Sequence, residues 1–269
     1  MFWQNLYSFL YYYTDTPQLF GAFHIASFVI IILATILAAY LLKNAEEKTF
    51  RRFCLVVWIV LAVGEIYREI CYSSYLADGK FVWDYAWFQF PFHLCSSPLY
   101  FLPFVAFLKD GRARDAFLCF MSLWSFLGGA IISVYASPVL CGYVGINIQS
   151  MIHHGAMVMV GVIIAVRNGR RMDKKYFLRG LIVYLIYIAI AMLLNVVVYH
   201  LLRANGMNDT FNMLFMSPYF ECGVPVVAEI WAATSWLVAF LVYVVGFFGF
   251  ALLIFFIQRA LVRKFGKSA

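Results

Sequence analysis

The chain reads as an all-α polytopic membrane protein with seven transmembrane helices, its N-terminus outside and its C-terminus in the cytoplasm. Two observations predict this class. Apolar runs of about 18 residues or more recur along the whole length, as bilayer-spanning helices require. They sit in a composition that is 65% hydrophobic and only 12% charged. The basic residues then fall on alternate loops. Lys43, Lys48, Arg51 and Arg52 follow the first run, and Lys109, Arg112 and Arg114 follow the third. Arg167, Arg170, Arg171, Lys174, Lys175 and Arg179 follow the fifth, and Arg259, Arg263, Lys264 and Lys267 follow the seventh. Only Arg68, Lys80 and Arg203 lie elsewhere. This is the positive-inside pattern of seven helices. The net charge of +7 is therefore an orientation signal and a contact for lipid headgroups rather than for nucleic acid.

The elements follow in order within a single integral membrane domain. Residues 1–19 are aromatic and contain no Lys or Arg, so they lack the basic region of a secretory signal and read as an interfacial segment. Residues 20–258 form the seven-helix bundle, with spans expected near 20–42, 52–76, 90–108, 114–136, 147–167, 176–202 and 229–258. Residues 259–269 form a basic cytoplasmic tail. The longest outer loop, about 203–228, mixes apolar and turn residues, as an ordered loop or a short lid would. No internal repeat stands out. Of the six Cys residues, Cys141 and Cys222 fall on outer loops and could pair in an oxidising compartment.

Ionisable groups are costly in hydrocarbon and persist there mainly facing a bundle interior or a wet cavity. Those of this chain cluster at one depth, toward the outer leaflet. The second span carries Gly64-Glu65-Ile66-Tyr67-Arg68-Glu69. Glu65 and Arg68, three apart, can pair on one helix face. One Arg cannot neutralise two ionised Glu residues, so either one Glu is protonated or it meets a cation from another helix, and a neighbouring His would serve. The third span opens Phe90-Pro91-Phe92-His93-Leu94-Cys95. Pro91 suits a first helical position. Cys95 then lies about one turn in, where the helix dipole and a nearby cation favour a thiolate. Otherwise Cys95 is a small buried hydrophobe. His93 and Cys95 point apart on a regular helix, so His93 serves the thiol only if the helix is unwound. Pro98 and Pro103 free backbone carbonyls that need partners from protein or water.

The fifth span enters from the same side with His153 and His154, which diverge by about 100° on a helix. One of them can face Cys95 as its base, with a carboxylate such as Glu69 orienting the ring. That is a nucleophile–base–orienter arrangement, recognised by geometry and not by order in the chain. Asn195 reads as an interhelical hydrogen bond. No His-x-x-x-His pair or Cys-x-x-Cys appears, so no metal or other cofactor is expected.

The motif His93-Leu94-Cys95 after Pro91, then Gly128-Gly129-Ala130 with Pro138 downstream, then His154-Gly155, resembles the YwaF-type bacterial integral membrane proteins, which are related to animal transmembrane protein 164. Asn195 and the stretch 212–218 also fit. The resemblance runs from about His24 to the seventh span. It implies seven helices and, by way of the animal relative, an acyltransferase that uses a Cys nucleophile to move fatty acyl groups between phospholipids. On this chain it implies Cys95 as the acyl-accepting nucleophile and His154 as the base, with His93 in the same motif. The leading expectation is a phospholipid transacylase of the cell membrane acting at the outer leaflet. Catalysis falls to Cys95, His154 and Glu69, with Arg68, His93, His153, Glu65 and Asn195 in support. Its partners are a phospholipid or lysophospholipid and the surrounding lipids. The alternatives are a small-solute transporter or sensor with an outward-facing polar pocket, and a purely structural membrane protein.

Overall fold

A computed structural model of the chain describes residues 2–265, so Lys267 and the end of the basic tail lie outside the described residues. The N-terminal segment forms α1 (Phe2–Leu10). Then come α2 (Ala22–Leu42), α3 (Glu47–Ser73), α4 (Ser97–Phe107), α5 (Arg112–Phe120), α6 (Phe126–Val134), α7 (Val144–Asn168), α8 (Lys174–Ala204), α9 (Pro225–Ala233) and α10 (Trp236–Phe265). A π turn, Met121–Ser125, joins α5 and α6 into one continuous rod.

Five of these rods are long and apolar enough to cross a bilayer: α2, the α5–α6 rod, α7, α8 and α10. Their outer faces carry exposed large apolar side chains such as Ile36, Leu193 and Val245, which suit contact with lipid. The chain is a helical membrane protein. The expected second and third spans differ from the rest for separate reasons. α3 is about 40 Å long at 1.5 Å per residue, but it carries Glu65, Arg68 and Glu69 near one end. The expected third span begins late. Phe90 precedes a proline and is extended (φ −48°, ψ 127°). His93 is also extended (φ −82°, ψ 165°). A 3-10 turn, Leu94–Ser96, then leads into a short α4. Pro91 therefore precedes the helix rather than starting it.

Other boundaries also move. The expected 229–258 span breaks at Thr234 (φ −135°, ψ −99°), which separates α9 from α10. A small hairpin, β1 (Ser74–Ala77) and β2 (Lys80–Trp83), was not foreseen. Its turn places Asp78 and Gly79 at φ 50° and 72°, the positive values that an Asp-Gly hairpin uses. The interfacial segment packs against this end: Tyr11 donates a 2.7 Å hydrogen bond to the Ser74 carbonyl. Cys141 and Cys222 are both free thiols.

The central element is α7, whose apolar stretch is 72% buried, against 17% for α2 and for α10. It packs on α2, α3 and α6. Two glycines set its depth. A Cβ at Gly129 of α6 would lie 2.7 Å from the His154 carbonyl, and one at Gly155 would lie 2.6 Å from Ile31 of α2. Both helices therefore approach α7 closely beside His154.

Candidate functional site

The charged end of α3 meets an irregular segment, and Arg68 joins them. Its guanidinium pairs with Glu65, one turn back on the same helix, and lies 3.4 Å from Glu69. It also donates to Gln89 twice, to the side-chain oxygen at 2.5 Å and to the backbone carbonyl at 2.8 Å. Gln89 closes the 3-10 turn Trp87–Gln89, four residues before His93. One arginine thus fixes the segment that delivers the thiol.

Between Pro91 and Cys95 the backbone has left the helix, so its carbonyls need partners from elsewhere. They have them. Tyr100 donates to the Pro91 carbonyl at 2.7 Å, and Tyr187 of α8 donates to that of His93 at 2.8 Å. His153 of α7 bonds the Cys95 carbonyl at 2.8 Å. A carbonyl only accepts, so His153 carries its proton on Nε2. Because the segment is unwound, His93 and Cys95 no longer point apart, and both line one cavity.

That cavity has a volume of about 310 Å³. Its wall includes Glu65, Arg68, His93, Cys95, His153 and His154, six of the eight residues expected from sequence. Both histidines of α7 line it. His154 Nδ1 lies 2.7 Å from the Ser150 carbonyl and must donate to it. That fixes the tautomer and leaves Nε2 with a free lone pair. Among the described residues, His154 Nε2 has no hydrogen-bond partner, nor do His93 Nδ1, the Arg68 Nε–H and Glu69 Oε2. Buried polar groups are almost always satisfied. Two ring nitrogens and a cationic N–H donor left open on residues that share a cavity with one thiol can therefore engage a bound molecule.

Two expected residues act elsewhere. Glu69 is not among the cavity-lining residues, and among the described residues neither carboxylate bonds a histidine. The ring of His154 is oriented by a backbone carbonyl one turn back, a partner the helix itself supplies, rather than by Glu69. No histidine serves as the second cation. The neighbour of Glu69 is Tyr85, whose phenol burial and the adjacent carboxylate push well above its usual value, so it stays protonated. Asn195 lies outside the cavity as well. It clasps Met213, donating to its carbonyl at 3.0 Å and accepting from its N–H at 2.7 Å. This holds a loop in which Leu214 and Phe215 take φ of 58° and 57°, costly values for side chains with a Cβ. Phe215 lines the cavity and stacks on His93 with ring centroids 4.6 Å apart. The long loop after α8 thus supplies part of the cavity wall.

The family model described as the TMEM164 family matches residues 19–258. The chain belongs to the TMEM164 family. The match takes in every cavity residue and leaves out α1. No curated protein and no solved structure matches this TMEM164-family chain.

Sequence reasoning missed Gln89, Gln149, Tyr187 and Phe215. Only Gln149 carried a signal, since it lies four residues before His153 and shares its helix face. Among the described residues, no three His, Cys, Asp or Glu side chains are grouped as a metal site would require.

Proposed function

We propose that this membrane protein is a cysteine-dependent acyltransferase that moves a fatty acyl group between phospholipids at the outer leaflet of the cell membrane. In this reading the bundle has seven spans, with α3 and the broken third span completing the set. The N-terminus lies outside, because the basic loops mark the cytoplasmic side. The observation that carries the reading is the state of His154: Nδ1 is held by Ser150 and Nε2 is unpartnered on a cavity wall shared with Cys95 and Arg68.

The chemistry balances. The Cys95 sulfur attacks an ester carbonyl of the donor phospholipid while its proton passes to His154 Nε2. Arg68 Nε–H steadies the oxyanion. As the tetrahedral adduct collapses, the C–O bond to glycerol breaks and the imidazolium returns the proton to the leaving lysolipid. An acceptor lysolipid hydroxyl then attacks the thioester, gives up its proton to the same nitrogen, and frees the thiol. No coenzyme or metal enters.

A phospholipid with an alkyne-tagged acyl chain, supplied in vesicles with the protein, tests this. The tag is expected on Cys95 as a hydroxylamine-sensitive thioester, absent in Cys95→Ala. A thioester elsewhere, or none in the presence of donor and acceptor lipids, overturns it. Solute uptake that survives Cys95→Ser but fails in Arg68→Gln would favour a transporter.

A further inference from the structure

Three openings in the molecule share walls. The Cys95 cavity shares Gln149 and His153 with a crevice of about 240 Å³ between α3 and α7. That crevice shares Val60, Ile148 and Ile152 with a groove of about 540 Å³ bounded by α2, α3 and α7. Gln149 packs against Gly64 where the cavity and the crevice meet, since a Cβ on Gly64 would come within 3.3 Å of the Gln149 side chain. Beyond Gln149 the groove walls are mostly hydrocarbon, with Ala26, Ile30 and Ala34 on one stripe of α2 facing Val56 and Met159 and only Ser27 and Thr35 polar.

We infer that this track holds one acyl chain of the phospholipid whose ester reaches Cys95. The inference rests on the acyl-transfer reading and adds where the chain lies and what measures its length. The wall supports that occupant. α2 is a peripheral helix, so the groove opens to the bilayer and not to water. From Gln149 to Met159 the track follows α7 for about 15 Å at 1.5 Å per residue, half the ~30 Å hydrocarbon core and so the depth of one leaflet. A chain entering from the membrane lies along this groove with its ester end at Gln149 and His153. Its methyl end meets Ala34 and Met159. Ala34 is exposed and small, so its size sets how long a chain fits.

The test uses the full-length protein in vesicles with phosphatidylcholines carrying a diazirine at the chain end, either lauroyl or octanoyl. Cross-links of the lauroyl probe are expected to concentrate on α2 between Ile30 and Ala34 and on α7 near Met159, equally in wild type and Cys95→Ala. Ala34→Trp is expected to cut lauroyl cross-linking about tenfold, the scale of a pocket that rejects surplus methylenes, and to spare octanoyl. Ile36→Trp, on the exposed face of α2 away from the groove, is expected to change neither. Cross-links spread evenly over α2, α8 and α10, or an Ala34→Trp effect equal for both chains, overturn the track even where Cys95 is acylated. Concentrated cross-links with no acylation of Cys95 uphold the track and remove the transfer reading.

Discussion

Two polar clusters occupy opposite ends of α3, about 27 Å apart along its axis from Glu47 to Glu65. At one end Glu47 receives three arginines. It pairs with Arg114, and lies 3.2 Å from both Arg51 and Arg167. Asp110 accepts from Arg51 at 2.9 Å and Arg114 at 2.6 Å. The same arginines cap helix ends: Arg167 donates to the Leu42 and Ala45 carbonyls, Arg51 to those of Ala106 and Leu108, and Arg114 to that of Val105. These carbonyls end α2 and α4, where a helix leaves acceptors unsatisfied and a cation is favoured. None of the five side chains keeps an unpartnered buried atom. At the other end a single Arg68 serves two carboxylates, and His154, His93, Arg68 and Glu69 all retain open atoms. A satisfied cluster holds helices together. An unsatisfied one keeps hydrogen-bonding capacity that a ligand could use.

This contrast can be broken or sharpened by substitution. The largest effect is expected from His154→Gln, which removes the free imidazole nitrogen. Acyl transfer should fall by about 10²–10⁴, the range for a lost general base, with little change in melting temperature. A variant that melts as wild type and still transfers at the wild-type rate would place His154 with the structural groups. Asn195→Leu should follow. It strips two buried hydrogen bonds from Met213 and releases the strained Leu214–Phe215 loop, costing about 1–3 kcal/mol on thermal unfolding in detergent. Transfer should fall with it, and an unchanged melting curve would show that the clasp does not hold the loop. Glu47→Gln should cost a similar or smaller amount, about 1–2 kcal/mol, because Glu47 is half-exposed and its arginines keep their backbone partners. Thioester formation at Cys95 should be untouched; a loss there would couple the two ends of α3. Asp115→Asn is expected to do least. Its 2.7 Å pair with Arg179 is partly exposed, so a change under about 1 kcal/mol is expected, and a larger loss would move this pair into the structural network.

The spans that the sequence places best are those whose character is uniform. α2, α8 and α10 are long apolar runs that length and composition define, and α7 is long and apolar enough as well although Gln149, Ser150, His153 and His154 interrupt its first half. The two less regular expected spans build the site together with α7. Pro91 and the Phe90 before it disfavour helix up to His93, and the pattern of apolar residues does not record that loss. The Asp78-Gly79 turn was written in the chain and marks a hairpin, but it lies between charged and aromatic residues that read as loop. Phe215 had no local signal, because its place over His93 depends on Asn195, twenty positions earlier in the chain, holding Met213.

The identities of Cys95, His154, Arg68 and Glu65, and the depth at which they cluster, were set by the order of residues, since burying charge in hydrocarbon is costly enough to betray a site. Which nitrogen of His154 is free, which carboxylate stands aside, and where a chain can enter were decided by the fold. Each depends on the Ser150 carbonyl, the Gln89 turn or the crevice at Gly64. Such contacts arise when helices cross, and no spacing along a strand of letters encodes the crossing.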